Sequence, residues 1–117
     1  MASGRRIEQL SVLLKEEVGK IVDRELEFPQ GRMVTLTRTT LSKDGRYATI
    51  FFSVLGAADE SDVMAVFHKN IYPIQQMLNR ALRMRPDPQI RFMPDVAEER
   101  RERVEASLAE LKRAGEI

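Results

Sequence analysis

Residues 33–55 read MVTLTRTTLSKDGRYATIFFSVL, and this stretch decides the fold. From Tyr47 to Leu55 apolar residues alternate, with Ala48, Ile50, Phe52 and Val54 on one face. That is the period-two signature of a half-buried strand. Met33 to Ser42 is rich in threonine and β-branched residues, with Val34 and Leu36 on one face, and it reads as the partner strand. Its alternation lapses at Arg38-Thr39-Thr40 and resumes at Leu41, which a β-bulge or an edge position explains. Lys43-Asp44-Gly45-Arg46 joins the two runs, and Asp-Gly is a favoured hairpin pair because glycine takes positive φ freely. A hairpin closed by Gly56 is therefore expected.

Working outward, Ile7, Leu10, Leu14, Val18 and Ile21 recur at steps of three or four between Arg5 and about Arg24. They form one stripe of an amphipathic helix, with Ser3 as its N-cap and Pro29 and Gly31 making the exit. Beyond the hairpin, a second helical stretch starts near Ser61 or Asp62 and carries Val63, Phe67, Ile74, Leu78 and Leu82. Pro73 lies inside it, lacks an amide hydrogen and clashes with the carbonyl one turn back. The expectation is two helices meeting at an angle around Asn70-Ile71-Tyr72-Pro73. Pro86 and Pro88 stop the second piece, and Gln89 to Met93 reads as a third strand, Ile90 and Phe92 alternating against Arg91. Asp95 followed by Glu98 resembles a capping box for a last helix over about 96–113. That helix has a narrow stripe of Val104, Leu108 and Leu111 and is expected to dock weakly, with Gly115 as its stop. The order predicts an α+β sandwich, a three-stranded sheet packed against helices. Residues 1–95 form its body and 96–117 a charged helical tail.

A chain of 117 residues with 43% hydrophobic and 32% charged content has the size of one domain with its own core. The absence of cysteine excludes a disulfide framework, a cysteine zinc cluster and a cysteine nucleophile. One histidine, His68, excludes a multi-histidine metal site and is more ordinarily a helix-surface residue. Glu16-Glu17 and Glu98-Glu99 are neighbours in helices and point in different directions, so neither is an acid/base pair. The six glycines sit singly, with no phosphate-cradling run. The expectation is no catalytic residue, metal, cofactor or small-molecule substrate. No apolar run approaches the roughly 20 residues of a membrane helix, and Met-Ala-Ser-Gly-Arg-Arg does not begin a signal peptide, which points to the cytoplasm. The methionines at 33, 64, 77, 84 and 93 read as core and rim filler. Arg100-Arg101-Glu102-Arg103 reads as a solvated, self-paired helix face.

The net charge of +1 hides an asymmetry: +2 over residues 1–58, +4 over 68–94 and −2 over 95–117. The basic middle is Lys69, Arg80, Arg83, Arg85 and Arg91 against the single Asp87. Clustered cations supply the sequence-independent phosphate attraction of nucleic-acid binding. A scatter of surface cations is the competing reading.

Helix, hairpin, two helices, strand is the order of a type II KH domain, although the Gly-x-x-Gly loop that clamps a nucleic-acid backbone in KH proteins is missing. At this length the chain resembles the ribosome-binding factor A family of bacterial small-subunit assembly factors. The resemblance rests on Val34-Thr35-Leu36-Thr37-Arg38 with Leu41-Ser42-Lys43-Asp44, on Tyr47-Ala48 with Ile50-Phe51-Phe52-Ser53-Val54-Leu55-Gly56, and on Leu82-Arg83-Met84-Arg85 with Pro88, Ile90, Phe92 and Asp95. Departures are Asn70-Ile71-Tyr72 in place of an Ala-x-Gly kink, Ile74-Gln75 for Ile-Arg, and Phe28-Pro29-Gln30 for Asp-Pro-Arg. The resemblance implies a non-catalytic, monomeric factor that binds small-subunit rRNA in the immature small ribosomal subunit during late maturation, rRNA processing and cold adaptation. It places Lys69, Arg80, Arg83 and Arg85 on phosphates with Arg91 beside them. Arg38, Lys43 and Arg46 form a second set, and Gln75 and Asn79 hydrogen-bond sugar or base edges. The alternative is a KH-like protein–protein module whose basic face meets an acidic partner.

Overall fold

The periodicities produce the elements they predict. The computed structural model describes residues 4–55, 60–83 and 87–113, without the side chains of Glu98, Glu99, Glu102 and Arg113. The elements are α1 (Gly4–Glu25), β1 (Met33–Leu41), β2 (Tyr47–Leu55), α2 (Ser61–Leu82), β3 (Gln89–Pro94) and α3 (Val96–Arg113). The expected cap Ser3 and stops Gly56 and Gly115 lie outside the described residues. β2 is central, antiparallel to β1 and parallel to β3. A parallel pair needs a crossover, and α2 supplies it.

The core lies on one face of this sheet. Leu14, Val18 and Ile21 of α1 and Val63, Phe67, Ile74 and Leu78 of α2 are buried with Ala48, Ile50 and Phe52 of β2 and Ile90 and Phe92 of β3. Ile7 and Leu10, from the same stripe of α1, are only half-buried. Phe67 is the centre: its ring stacks on Phe92 at 4.0 Å, tilts against Phe52 at 4.9 Å and meets Phe28 edge-on at 5.2 Å. This is the KH-like α+β arrangement.

One expectation is corrected. Helix α2 runs without a break from Ser61 to Leu82, with Pro73 inside it, rather than as two helices. The sequence shows why. Phe67 and Leu78 are three helical turns apart, as are Val63 and Ile74, so the apolar face keeps phase across the proline. Pro73 and Lys69 are both exposed, so the carbonyl that loses its donor lies on the water side.

The lapse in β1 is a bulge. The register slips between Leu36 and Arg38, leaving Thr37 as the extra residue. The bulge aims two successive side chains at one carboxylate: Thr37 Oγ1 donates to Asp95 Oδ2 at 2.5 Å and Arg38 Nε at 3.2 Å. Asp95 is 3% exposed. It also donates its amide to the Phe52 carbonyl at 2.7 Å, and its side chain accepts from the Ala97 amide, which makes it the N-cap of α3. Burial pushes the Asp95 carboxyl up, but the Thr37, Arg38 and Ala97 donors outweigh it and hold the group below its ordinary value.

Asp95→Ala is expected to cost about 2–3 kcal/mol in urea unfolding, the range for buried hydrogen bonds to a charged group. Because the folded carboxyl binds its proton less tightly than the unfolded chain does, its stabilisation is full above the unfolded value of 3.8 and fades as pH falls through the lower folded value. Asp95→Asn should lack that part of the acid limb. Thr39 Oγ1 is buried without a partner among the described residues, so Thr39→Val should raise stability by about 1 kcal/mol.

Candidate nucleic-acid interface

Two chain reversals bring the basic residues together. At the hairpin tip, Gly45 (φ +74°) donates its amide to the Ser42 carbonyl at 2.9 Å, and Ser42 donates its own to Tyr47 at 2.8 Å. The Asp44 carboxylate accepts from Ser42 Oγ at 2.6 Å and from the Arg46 amide at 3.1 Å, bonds that hold its carboxyl below the ordinary value. Lys43 and Arg46 extend into solvent from this braced turn.

The second reversal is the end of α2. Arg83 adopts the left-handed conformation (φ 49°, ψ 39°) and donates its amide to the Asn79 carbonyl at 3.1 Å. Glycine is the usual residue at such a cap, and a side chain there costs roughly 1–2 kcal/mol. The chain then returns to β3, where the Gln89 amide donates to the Arg46 carbonyl at 2.8 Å. The hairpin turn and the end of α2 therefore share one end of the sheet. Lys43, Arg46, Arg80 and Arg83 gather there, Arg80 on the last turn of α2. Lys69 lies on the same exposed stripe of α2 as Arg80, three turns or about 16 Å earlier. Lys43, Lys69, Arg80 and Arg83 pair with no acid among the described residues.

The remaining expected residues divide differently. Gln75 is committed inside the protein: its Nε2 donates to Asn79 Oδ1 and to the Pro88 carbonyl, each at 2.8 Å, and its Oε1 accepts the Ile90 amide at 2.9 Å. It fastens α2 to the start of β3, and Asn79 braces it. Arg38 and Arg91 lie on the open face of the sheet, opposite the helices. Arg38 sits 3.9 Å over the Phe51 ring, and Arg91 Nε donates to Thr49 Oγ1 at 3.0 Å. Arg85 is outside the described residues. Tyr47, exposed at the basic end of that open face, escaped the sequence reading; its odd-numbered place in β2, out of step with the buried alternation, was the signal. His68 is exposed on α2, and among the described residues no acidic or histidine cluster is arranged to hold a metal ion. A groove of about 650 Å³ between α1 and β1 mixes Lys15 and Lys20 with Glu16 and Asp23, so it lacks the charge bias of the basic end.

The family model for ribosome-binding factor A matches residues 6–108. The chain belongs to this family. Among curated relatives, ribosome-binding factor A of Thermodesulfovibrio yellowstonii is 30% identical over 96% of this chain and 95% of its own length. That of Dictyoglomus thermophilum is 34% identical, over 92% and 91%. Among solved structures, the crystal structure of ribosome-binding factor A from Thermus thermophilus superposes with a TM-score of 0.66 at 24% identity, over 75% of this chain and 94% of that one. A model of the Thermus thermophilus factor fitted into an electron-microscopy map of a 30S–factor complex gives 0.64 at 23% identity, over 77% and 96%. These two likenesses show the fold.

Gln75→Leu should lower stability by about 1–2 kcal/mol in urea unfolding, because the Ile90 amide and Pro88 carbonyl lose their partners. Arg80→Ala, on the exposed last turn, should change it by less than about 0.5 kcal/mol.

Proposed function

We propose that this protein is a non-catalytic assembly factor of the small ribosomal subunit that binds its rRNA as a monomer and assists late maturation. The observation that carries this reading is the end of the sheet where the hairpin turn and the C-terminus of α2 meet. Lys43, Arg46, Arg80 and Arg83 extend there from two backbone reversals, and Lys69 continues the stripe along α2. Such cations engage phosphates without reading sequence, so the shape of the folded RNA selects the site. Family membership supports the ribosome as the target, as do the relatives' shared name and the 30S complex of the Thermus factor.

Residues 1–95 are the RNA-binding body in this reading and 96–117 a charged tail. Helix α3 begins at Val96, and its described side chains are all exposed. Arg38 and Arg91 reach RNA from the open face, Arg85 adds to the basic end, and the protein works in the cytoplasm. Gln75 serves the site by holding α2 against β3, and Asn79 by bracing Gln75.

Sedimentation of a lysate through sucrose at low and high salt tests the reading. The protein should travel with free small subunits at low salt, leave them at high salt and be absent from polysomes. Arg80→Glu combined with Arg83→Glu should abolish co-sedimentation without unfolding the body. Binding to purified subunits should weaken steeply with salt, losing about 0.7–0.9 in logarithmic slope for each phosphate contact removed. Residence in the light fractions at every salt would instead favour a protein-binding module. Arg83→Gly separates two effects: it should stabilise the fold by about 1 kcal/mol through relief of the left-handed cap, yet weaken subunit binding.

A further inference from the structure

We propose that the open face of the sheet, opposite the helices, is a stacking surface for unpaired RNA bases. This rests on the RNA-binding reading above, in which the open face lends only two cations, and assigns that face a different kind of contact. Helices α1 and α2 cover one side of the sheet only. On the other, Arg38 faces Phe51 across β1 and β2, and Thr49 faces Arg91 across β2 and β3. The Arg38 guanidinium lies 3.9 Å over the Phe51 ring and is fixed there by Asp95, while half of the side chain stays exposed. A guanidinium pinned on a ring presents a flat cationic surface outward, and bases stack on such planes as they do on aromatic rings. Tyr47, 60% exposed, supplies a second ring on β2, four residues or about 13 Å from Phe51. Arg91 lies on the neighbouring strand, its Nε held by Thr49.

Charge selects the occupant. The outward positions of the three strands carry Arg38 and Arg91. The Asp95 carboxylate just past β3 balances Arg38, and Arg91 pairs with no acid among the described residues. Lys43 and Arg46, with Asp44 between them, keep the rim beside Tyr47 net positive. Exposed π surfaces interleaved with cations suit an unpaired strand, whose bases present faces and whose backbone presents phosphates. A duplex, with its bases stacked inside, has only phosphates to offer here.

The protein has two tyrosines and no tryptophan, so in a Tyr72→Phe variant all tyrosine emission comes from Tyr47. Tyr72 is exposed on α2, and this change should be silent in folding. The experiment titrates that variant with an unstructured oligouridine octamer and, separately, with a double-stranded RNA of equal phosphate number, following emission and anisotropy together. The octamer should quench Tyr47 and the duplex should not. Tyr47→Leu should weaken octamer binding roughly 5- to 100-fold and leave duplex binding within twofold, and Arg91→Ala should weaken the octamer about fivefold. Circular dichroism of each variant shows that the fold is kept. If the octamer binds by anisotropy while Tyr47 emission and Tyr47→Leu affinity stay unchanged, the stacking face is wrong and the RNA-binding reading survives. If neither RNA binds, the stacking face is wrong, and co-sedimentation with small subunits decides the RNA-binding reading separately.

Discussion

The buried Asp95 carboxylate is the point on which the polar architecture depends. It receives the bulged strand β1 through Thr37 and Arg38, the central strand through its amide on Phe52, and α3 through the Ala97 amide. A buried anion is tolerable only when its lone pairs are filled, and here they are filled by Thr37 and Arg38 from the distant strand β1 and by the nearby Ala97 amide. The bulge in β1 is thereby explained: it is the deformation that lets two adjacent side chains reach one acceptor. The same contact holds Arg38 over Phe51, so one acid organises both the sheet edge and the chemistry of its open face.

The apolar architecture has a different centre. Phe67 touches three other phenylalanines contributed by β2, β3 and the segment after α1. Because α2 provides this residue and also crosses from β2 to β3, its straight course sets where its C-terminal cations fall. The helix passes through because its buried residues demand continuity on both sides of the proline, while the lost hydrogen bond sits in water.

Much of this was legible in the sequence, and the parts that were not share a cause. The hairpin, the third strand and the helix boundaries follow from alternation and turn chemistry, which are local. The lapse at Arg38-Thr39-Thr40 announced the bulge, and Asp95 announced a helix start. What the sequence concealed was tertiary. The single course of α2 depends on packing that overrides the intrinsic preference of proline. Gln75 looked like a ligand-facing polar residue and is instead a bracket between α2 and β3, which depends on where Pro88 and Ile90 fall in space. The grouping of Lys43 and Arg46 with Arg80 and Arg83 needs the parallel pairing of β2 with β3, and no spacing rule reveals it.

Helix α3 carries a last consequence. Its described side chains, Val104, Leu108 and Leu111 among them, are all exposed, so burial contributes little to holding it helical. A helix of 18 residues is close to the length at which isolated helices become marginal in water. Its cohesion is then local, set by the cap at its first turn and by its own backbone. The Asp95 cap at its first turn is what ties it to the sandwich. Segments with so little buried surface open at a lower free energy than the core strands do, so α3 and β2 stand at opposite ends of the local-stability scale of this fold.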